Sequence, residues 1–232
     1  MTISSTQPSR YCRDVLTELP DASVDAVVTD PPYELGFMGK GWDSSGIAYS
    51  VPMWSEVLRV LKPGGHLLAF GGTRTWHRMV VAIEDAGFEI RDELVWLYGS
   101  GFPKSLDVSK AIDKAAGAER EVVATVAHRG ADSGGASRFF YVAKASTAER
   151  PKVDGVAHAT VKPLELMRWL VRLVTPPGGL VLDPFAGTGT TAEACIVEGF
   201  RCVLIEKEAD HLPLILARLA KPIQPTLLGG AS

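Results

Sequence analysis

Leu180-Val181-Leu182-Asp183-Pro184-Phe185-Ala186-Gly187-Thr188-Gly189-Thr190-Thr191-Ala192 is the stretch that decides how this chain folds. The three leading apolar residues read as a short buried strand. Gly187 to Ala192 then fit G-x-G-x-x-A, in which small residues let the backbone approach a ligand and a helix N-terminus offers free N–H groups. Residues 190–198 read as that helix and residues 202–205 as the next strand. Glu206 closes that strand, where a carboxylate can accept both hydroxyls of an adenosine ribose. The unit specifies a nucleotide-type ligand on an open α/β sheet.

Only about forty residues follow this loop, so the remaining strands of the sheet must come from its N-terminal side. The sequence supplies them. Residues 24–29 read as a strand and residues 51–61 as a helix stopped by Lys62-Pro63-Gly64-Gly65. Residues 66–70 form a second strand, 74–86 a helix closed by Gly87, and 89–97 a third strand. Strand and helix alternate, which predicts a mainly parallel sheet. The alternation lapses over residues 98–138, with one short helix expected at 106–116. A strand at 139–144 and a helix at 163–174 restore it, and residues 209–219 form the last helix. One domain over residues 1–232 is expected, with residues 99–138 inserted in it.

The first strand runs into Asp30-Pro31-Pro32-Tyr33. Strand ends in an open parallel sheet face the ligand crevice. Two prolines fix φ and remove two donors, so an acid, outward carbonyls and an aromatic ring meet there. The plainer reading is a proline-stiffened turn. Residues 34–50, rich in glycine and polar side chains, read as a mobile loop beside this acceptor-rich clamp.

Taken together, the clamp and the downstream loop resemble the DNA amino-methyltransferases, which methylate adenine-N6 or cytosine-N4. The clamp precedes the cofactor loop, as in the permuted subclass of that family. The resemblance implies a Rossmann-like S-adenosylmethionine-dependent methyltransferase fold with a mixed, mostly parallel sheet and DNA as partner. Asp30, Pro31, Pro32 and Tyr33 would hold the target base. The cofactor would lie on Asp183, Pro184, Phe185, Ala186, Gly187, Thr188, Gly189, Thr190 and Glu206. Asp14, after Arg13, would contact the cofactor adenine. His158-Ala159-Thr160-Val161-Lys162-Pro163 resembles the segment over the methionine end, although Ala159 replaces a usual proline; Thr160 and Lys162 would bind there, Lys162 through the methionine carboxylate. Residues 37–43 and 99–105 resemble phage and prophage members, and dimers occur in the subclass, so a homodimer is compatible with the resemblance.

These residues imply a mechanism. If Asp30 and the Pro31 carbonyl accept the amino hydrogens, the nitrogen lone pair is freed for direct in-line attack on the methyl carbon. The base would be flipped out and stacked on Tyr33. An acid in the first clamp position favours adenine by resemblance, whereas serine there is commoner with cytosine. An acid after the cofactor strand suits a cationic methyl donor and would repel a pyrophosphate, which argues against an NAD-dependent dehydrogenase. An RNA or protein amide methyltransferase could use the same clamp, and a non-catalytic DNA-binding module would not need both motifs.

Composition bounds the rest. The net charge is −3, yet residues 98–152 hold nine Lys and Arg against six acids. Lys104, Lys110, Lys114, Arg120, Arg129 and Arg138 are therefore the expected phosphate contacts. The three cysteines, Cys12, Cys195 and Cys202, form no CxxC pair and no ligand spacing with the five histidines. Neither a metal site nor a disulfide framework is expected. No export signal or membrane-length apolar run is read, which sets a cytoplasmic expectation.

Overall fold

The computed structural model describes residues 2–3, 12–36, 41–97, 139–141, 144–153, 155–157 and 160–220. In chain order its strands are β1 (Thr2–Ile3), β2 (Val24–Thr29), β3 (Leu61–Ala69), β4 (Val95–Leu97), β5 (Phe139–Tyr141), β6 (Lys152–Val153), β7 (Val156–Ala157), β8 (Leu180–Asp183) and β9 (Arg201–Leu204). The α-helices are α1 (Cys12–Leu16), α2 (Val51–Val60), α3 (Trp76–Asp85), α4 (Leu164–Val174), α5 (Thr190–Val197) and α6 (Leu212–Leu219). Contacts divide the chain into two units, residues 1–92 with 144–232, and residues 93–143.

The first unit is built on a five-stranded sheet in the order β1-β9-β8-β2-β3. All its pairings are parallel. β2 is buried along almost its whole length, which is why it reads as a continuous apolar run rather than an alternating one. From β2 the chain proceeds to β3 on one side, whereas β8 lies on the other and leads on to β9. The connections therefore diverge between β2 and β8. That switch point is where an open α/β sheet binds its ligand, and both sequence motifs follow the two strands that flank it.

Helix faces build the core. Ser50 caps α2 by accepting the Met53 N–H, and Pro52 sits in the first turn. Met53, Trp54, Val57 and Val60 are buried in one cluster with Val24, Val27, Leu182 and Ile205. On α4, Leu166, Met167, Leu170 and Val171 form the buried stripe. Below the sheet's N-terminal edge, Asp25 accepts from Lys62 Nζ at 2.6 Å and from Leu180 N at 2.8 Å. The Lys62 hydrogen bond holds this carboxyl below its ordinary range.

Two boundaries differ from expectation. β3 begins at Leu61, because Val24 pairs with Leu61 and Ala26 already with His66. Residues 62–65 are thus a bulge, and a Cβ at Gly65 would stand 2.7 Å from the Leu61 side chain and 2.9 Å from the Asp25 carbonyl. The strand expected over 89–97 shrinks to Val95–Leu97, which pairs in parallel with Phe139–Tyr141 in the second unit. Residues 89–94 are exposed and carry four charges, so no apolar face holds them in a sheet. The expected helix at 106–116 lies outside the described residues. Among the described residues no helix is long and apolar enough to cross a membrane.

Candidate active site

Thr29, the last residue of β2, is fully buried, and its carbonyl accepts the Phe70 N–H at 3.0 Å. This brings Phe70, at the end of β3, beside Asp30. Pro31 is buried and Pro32 and Tyr33 are partly buried. Thr75 Oγ1 donates to the Tyr33 carbonyl at 2.7 Å, and a Cβ on Gly72 would come within 3.1 Å of the Tyr33 ring. Glycine at position 72 is what lets the ring lie close against the loop after β3.

The loop that follows is braced, contrary to the mobile loop expected. Asp43, 2% exposed, accepts from Glu34 N at 3.0 Å and Leu35 N at 3.3 Å. In return Glu34 accepts from Gly46 N at 2.8 Å and Ala48 N at 3.4 Å. Two carboxylates therefore tie residues 34–48 into short 3₁₀ turns at Gly41–Ser44 and Ile47–Tyr49. Glu34 takes a left-handed φ of 54°, a strained value for a non-glycine residue. The alternation of polar residues hides this bracing because each contact spans about ten residues of sequence.

Lys162 Nζ is paired with Asp30 Oδ2. The ammonium also stands 4.7 Å from the Phe70 ring centre and 5.4 Å from that of Tyr33. Asp30 Oδ1 is buried with no hydrogen-bond partner among the described residues. A buried acceptor without a donor is costly, and a bound N–H would relieve it.

The neighbouring strand end carries the second half of the site. Asp183, 2% exposed, accepts from Thr29 Oγ1 at 2.7 Å, Thr191 Oγ1 at 2.5 Å and Phe185 N at 3.1 Å. Burial pushes its carboxyl up to about 6, against the pull of those donors and with a push from the Asp30 charge. Pro184 and Ala186 are buried, and Phe185 packs partly against the core. Gly187 and Gly189 take φ of 53° and 76°, and a Cβ on Gly189 would meet Ile215 at 3.1 Å. Only glycine serves there. α5 begins at Thr190 with no side-chain cap, which leaves its first N–H groups for a ligand.

Glu206 accepts from Gly187 N at 2.6 Å, Glu208 N at 2.9 Å and His211 at 3.1 Å. It is fixed at the end of β9, and carboxylate oxygens retain lone pairs beyond these bonds. Cys12 of α1 shares the core cluster with Ile205, so α1 and its partly exposed Asp14 start beside that strand end. A cationic ligand with a ribose fits this donor set: two interacting acids, a glycine loop, an open helix start and a fixed carboxylate.

Four contributors were not singled out in the sequence. Thr29 and Thr191 hold Asp183, and Phe70 flanks Lys162. Arg218, 1% exposed, donates to the Thr188 carbonyl at 2.8 Å, to Glu193 at 2.5 Å and to the Glu149 carbonyl at 2.6 Å. Its signal was a lone cation in the apolar run Leu212-Pro213-Leu214-Ile215-Leu216-Ala217-Arg218-Leu219. Thr160 is exposed near the start of α4. Lys104, Lys110, Lys114, Arg120, Arg129, Arg138, His158 and Ala159 lie outside the described residues.

An acceptor clamp and a glycine loop on adjacent parallel strand ends, at a sheet switch point, define an α/β methyltransferase fold. The DNA methylase model for adenine-N6 and cytosine-N4 enzymes matches residues 24–116 and 131–217, and the chain belongs to that family. YubD of Escherichia coli (strain K12), named as a putative methylase, is 30% identical over 209 residues, covering 84% of this chain and 81% of YubD. Among solved structures, the M1.HpyAVI–SAM complex has a TM-score of 0.63 at 21% identity, covering 95% of this chain and 99% of that one. TTHA0409 of Thermus thermophilus, a DNA modification methylase by name and complexed with S-adenosyl-L-methionine, gives 0.58 at 23% identity, covering 90% and 92%. The cytosine-N4-specific PvuII DNA methyltransferase gives 0.67 at 15% identity, covering 95% and 89%.

Proposed function

We propose that the protein is a DNA adenine-N6 methyltransferase of the permuted subclass, acting on a flipped-out base by direct transfer. The observation that carries this reading is Asp30 Oδ1, a buried acceptor without a donor at the end of β2. S-adenosylmethionine is the methyl donor, and its sulfonium supplies an already activated methyl group. Asp183, Gly187, Gly189 and Glu206 are the residues that would hold it, with Asp14 at the adenine and Thr160 near the methionine end.

The clamp's task follows from the substrate. An exocyclic amino nitrogen is a poor nucleophile because its lone pair is delocalised into the ring. Asp30 and the Pro31 carbonyl, by accepting the two amino hydrogens, draw that nitrogen toward tetrahedral geometry. The lone pair then forms the bond to the methyl carbon, and the nitrogen sheds one proton on the Asp30 side. Tyr33, backed by Gly72, offers a face for stacking the base. The acid at position 30 favours adenine. Lys104, Lys110, Lys114, Arg120, Arg129 and Arg138 are assigned to phosphates, and about forty inserted residues suit a short recognition sequence.

Transfer of a labelled methyl group to unmethylated DNA, followed by nucleoside analysis, tests this reading. N6-methyladenine is expected. N4-methylcytosine would overturn the choice of base, and label appearing only in RNA or protein would overturn the substrate class.

A further inference from the structure

We propose that Lys162 is a positioning residue for the methyl-accepting amino group: it pins one oxygen of Asp30 so that the other alone receives the amino hydrogen. This rests on the reading of Asp30 given under Proposed function. It departs from the role in which Lys162 serves only the methionine carboxylate.

The geometry is specific. Lys162 is 8% exposed, and a buried ammonium is expensive unless paired. Its anionic contact is Asp30 Oδ2, and the faces of Phe70 and Tyr33 flank the same amine. Its backbone is held as well. Val161 and Pro163 are buried, and the Leu164 N–H donates to Glu149 Oε1 at 2.9 Å. A lysine anchored at both ends fixes the carboxylate plane of Asp30. The last torsion of an aspartate is otherwise broad, so an unpinned carboxylate could present either oxygen. With Oδ2 occupied, Oδ1 is the acceptor left for a donor, and it is the one that lacks a partner among the described residues. The acceptor direction, and with it the orientation of the nitrogen lone pair, is then set before the base arrives.

The test uses the full chain with Lys162→Met, Lys162→Arg and Asp30→Ala. Cofactor affinity is measured by calorimetry, and single-turnover methyl transfer is measured at saturating S-adenosylmethionine and unmethylated DNA. Lys162→Met is expected to keep its cofactor affinity while the saturating rate falls about 10²-fold, the scale of a misplaced reacting group. Lys162→Arg, which keeps the cation, is expected to lose only about ten-fold. A wild-type saturating rate in Lys162→Met, with cofactor affinity lost instead, would overturn the inference. If the Met variant loses its cooperative unfolding transition, Lys162→Arg decides by the same split between rate and affinity. Asp30→Ala separates the two levels. A wild-type rate in that variant sinks the Asp30 reading itself, whereas an inactive Asp30→Ala beside a fully active Lys162→Met overturns only the role of Lys162.

Discussion

Asp183→Asn should reverse the pH dependence that a buried acid imposes on stability. The folded carboxyl titrates at about 6 against an ordinary value of 3.8, and burial is the main cause. Between those two values the folded state holds a proton that the unfolded state has released, so stability falls as pH rises. Below 3.8 the contribution is fully present, and above 6 it is gone. At 1.36 kcal/mol per unit the whole effect is about 3 kcal/mol, of which roughly 1 to 2 kcal/mol falls between pH 5 and pH 8. Asparagine is isosteric and can be satisfied. Its oxygen accepts from Thr29 and Phe185 N, and the Thr191 hydroxyl can turn to accept from the amide.

Urea unfolding of the ligand-free protein at pH 5 and pH 8 gives the comparison. The stability of Asp183→Asn relative to the native chain should rise by that 1 to 2 kcal/mol on going to the higher pH. Cofactor titration supplies a second arm. A cationic ligand beside Asp183 favours its ionised form, so the native affinity should strengthen across the same window while that of the variant stays flat. Parallel stability curves for the two proteins would refute the reasoning, since they would mean that Asp183 titrates alike in the folded and unfolded chains.

Arg218→Met should lower stability by about 3 to 5 kcal/mol, because it leaves Glu193 and the Thr188 and Glu149 carbonyls without their buried donor, and should weaken cofactor binding; a native denaturation midpoint and cofactor Kd would exclude a bracing role. Tyr33→Ala should weaken binding of DNA by about 1 to 3 kcal/mol, the scale of one stacked base, with Tyr33→Phe and Tyr33→Trp much milder. Equal losses in all three, measured by equilibrium titration, would speak against stacking.

The motifs were legible because each is contiguous and each follows an apolar strand that must be buried. Leu180 to Leu182 and residues 24–29 declare themselves by composition, and glycine at 187 and 189 declares a loop that other residues cannot make. What holds the motifs is not contiguous. Asp43 reads as one more polar loop residue until its carboxylate is seen to accept from Glu34 N and Leu35 N. Lys162 reads as a helix-start cation or a cofactor contact, and nothing local announces Asp30 as its partner 132 positions away. Residues 89–94 mislead in the other direction, since their pattern suits a strand but their exposed charges give it no face to bury.

Thr29 shows why the support matters to the chemistry. It is the residue immediately before Asp30, and its hydroxyl donates to Asp183, 154 positions later, across the β2–β8 pairing. The base clamp and the cofactor strand are thus joined at their tips by one buried hydrogen bond. On the far side of the loop, Arg218 ties Thr188 to Glu149, and Glu149 accepts the N–H of Leu164, two residues beyond Lys162. The acceptor for the amino group and the cradle for the methyl donor are therefore positioned by one connected set of polar contacts. Direct transfer needs this, because the two reacting atoms must be held in line to within a fraction of an ångström. Substitutions at Thr29 and Thr191 should accordingly be non-additive, since both act through the same carboxylate.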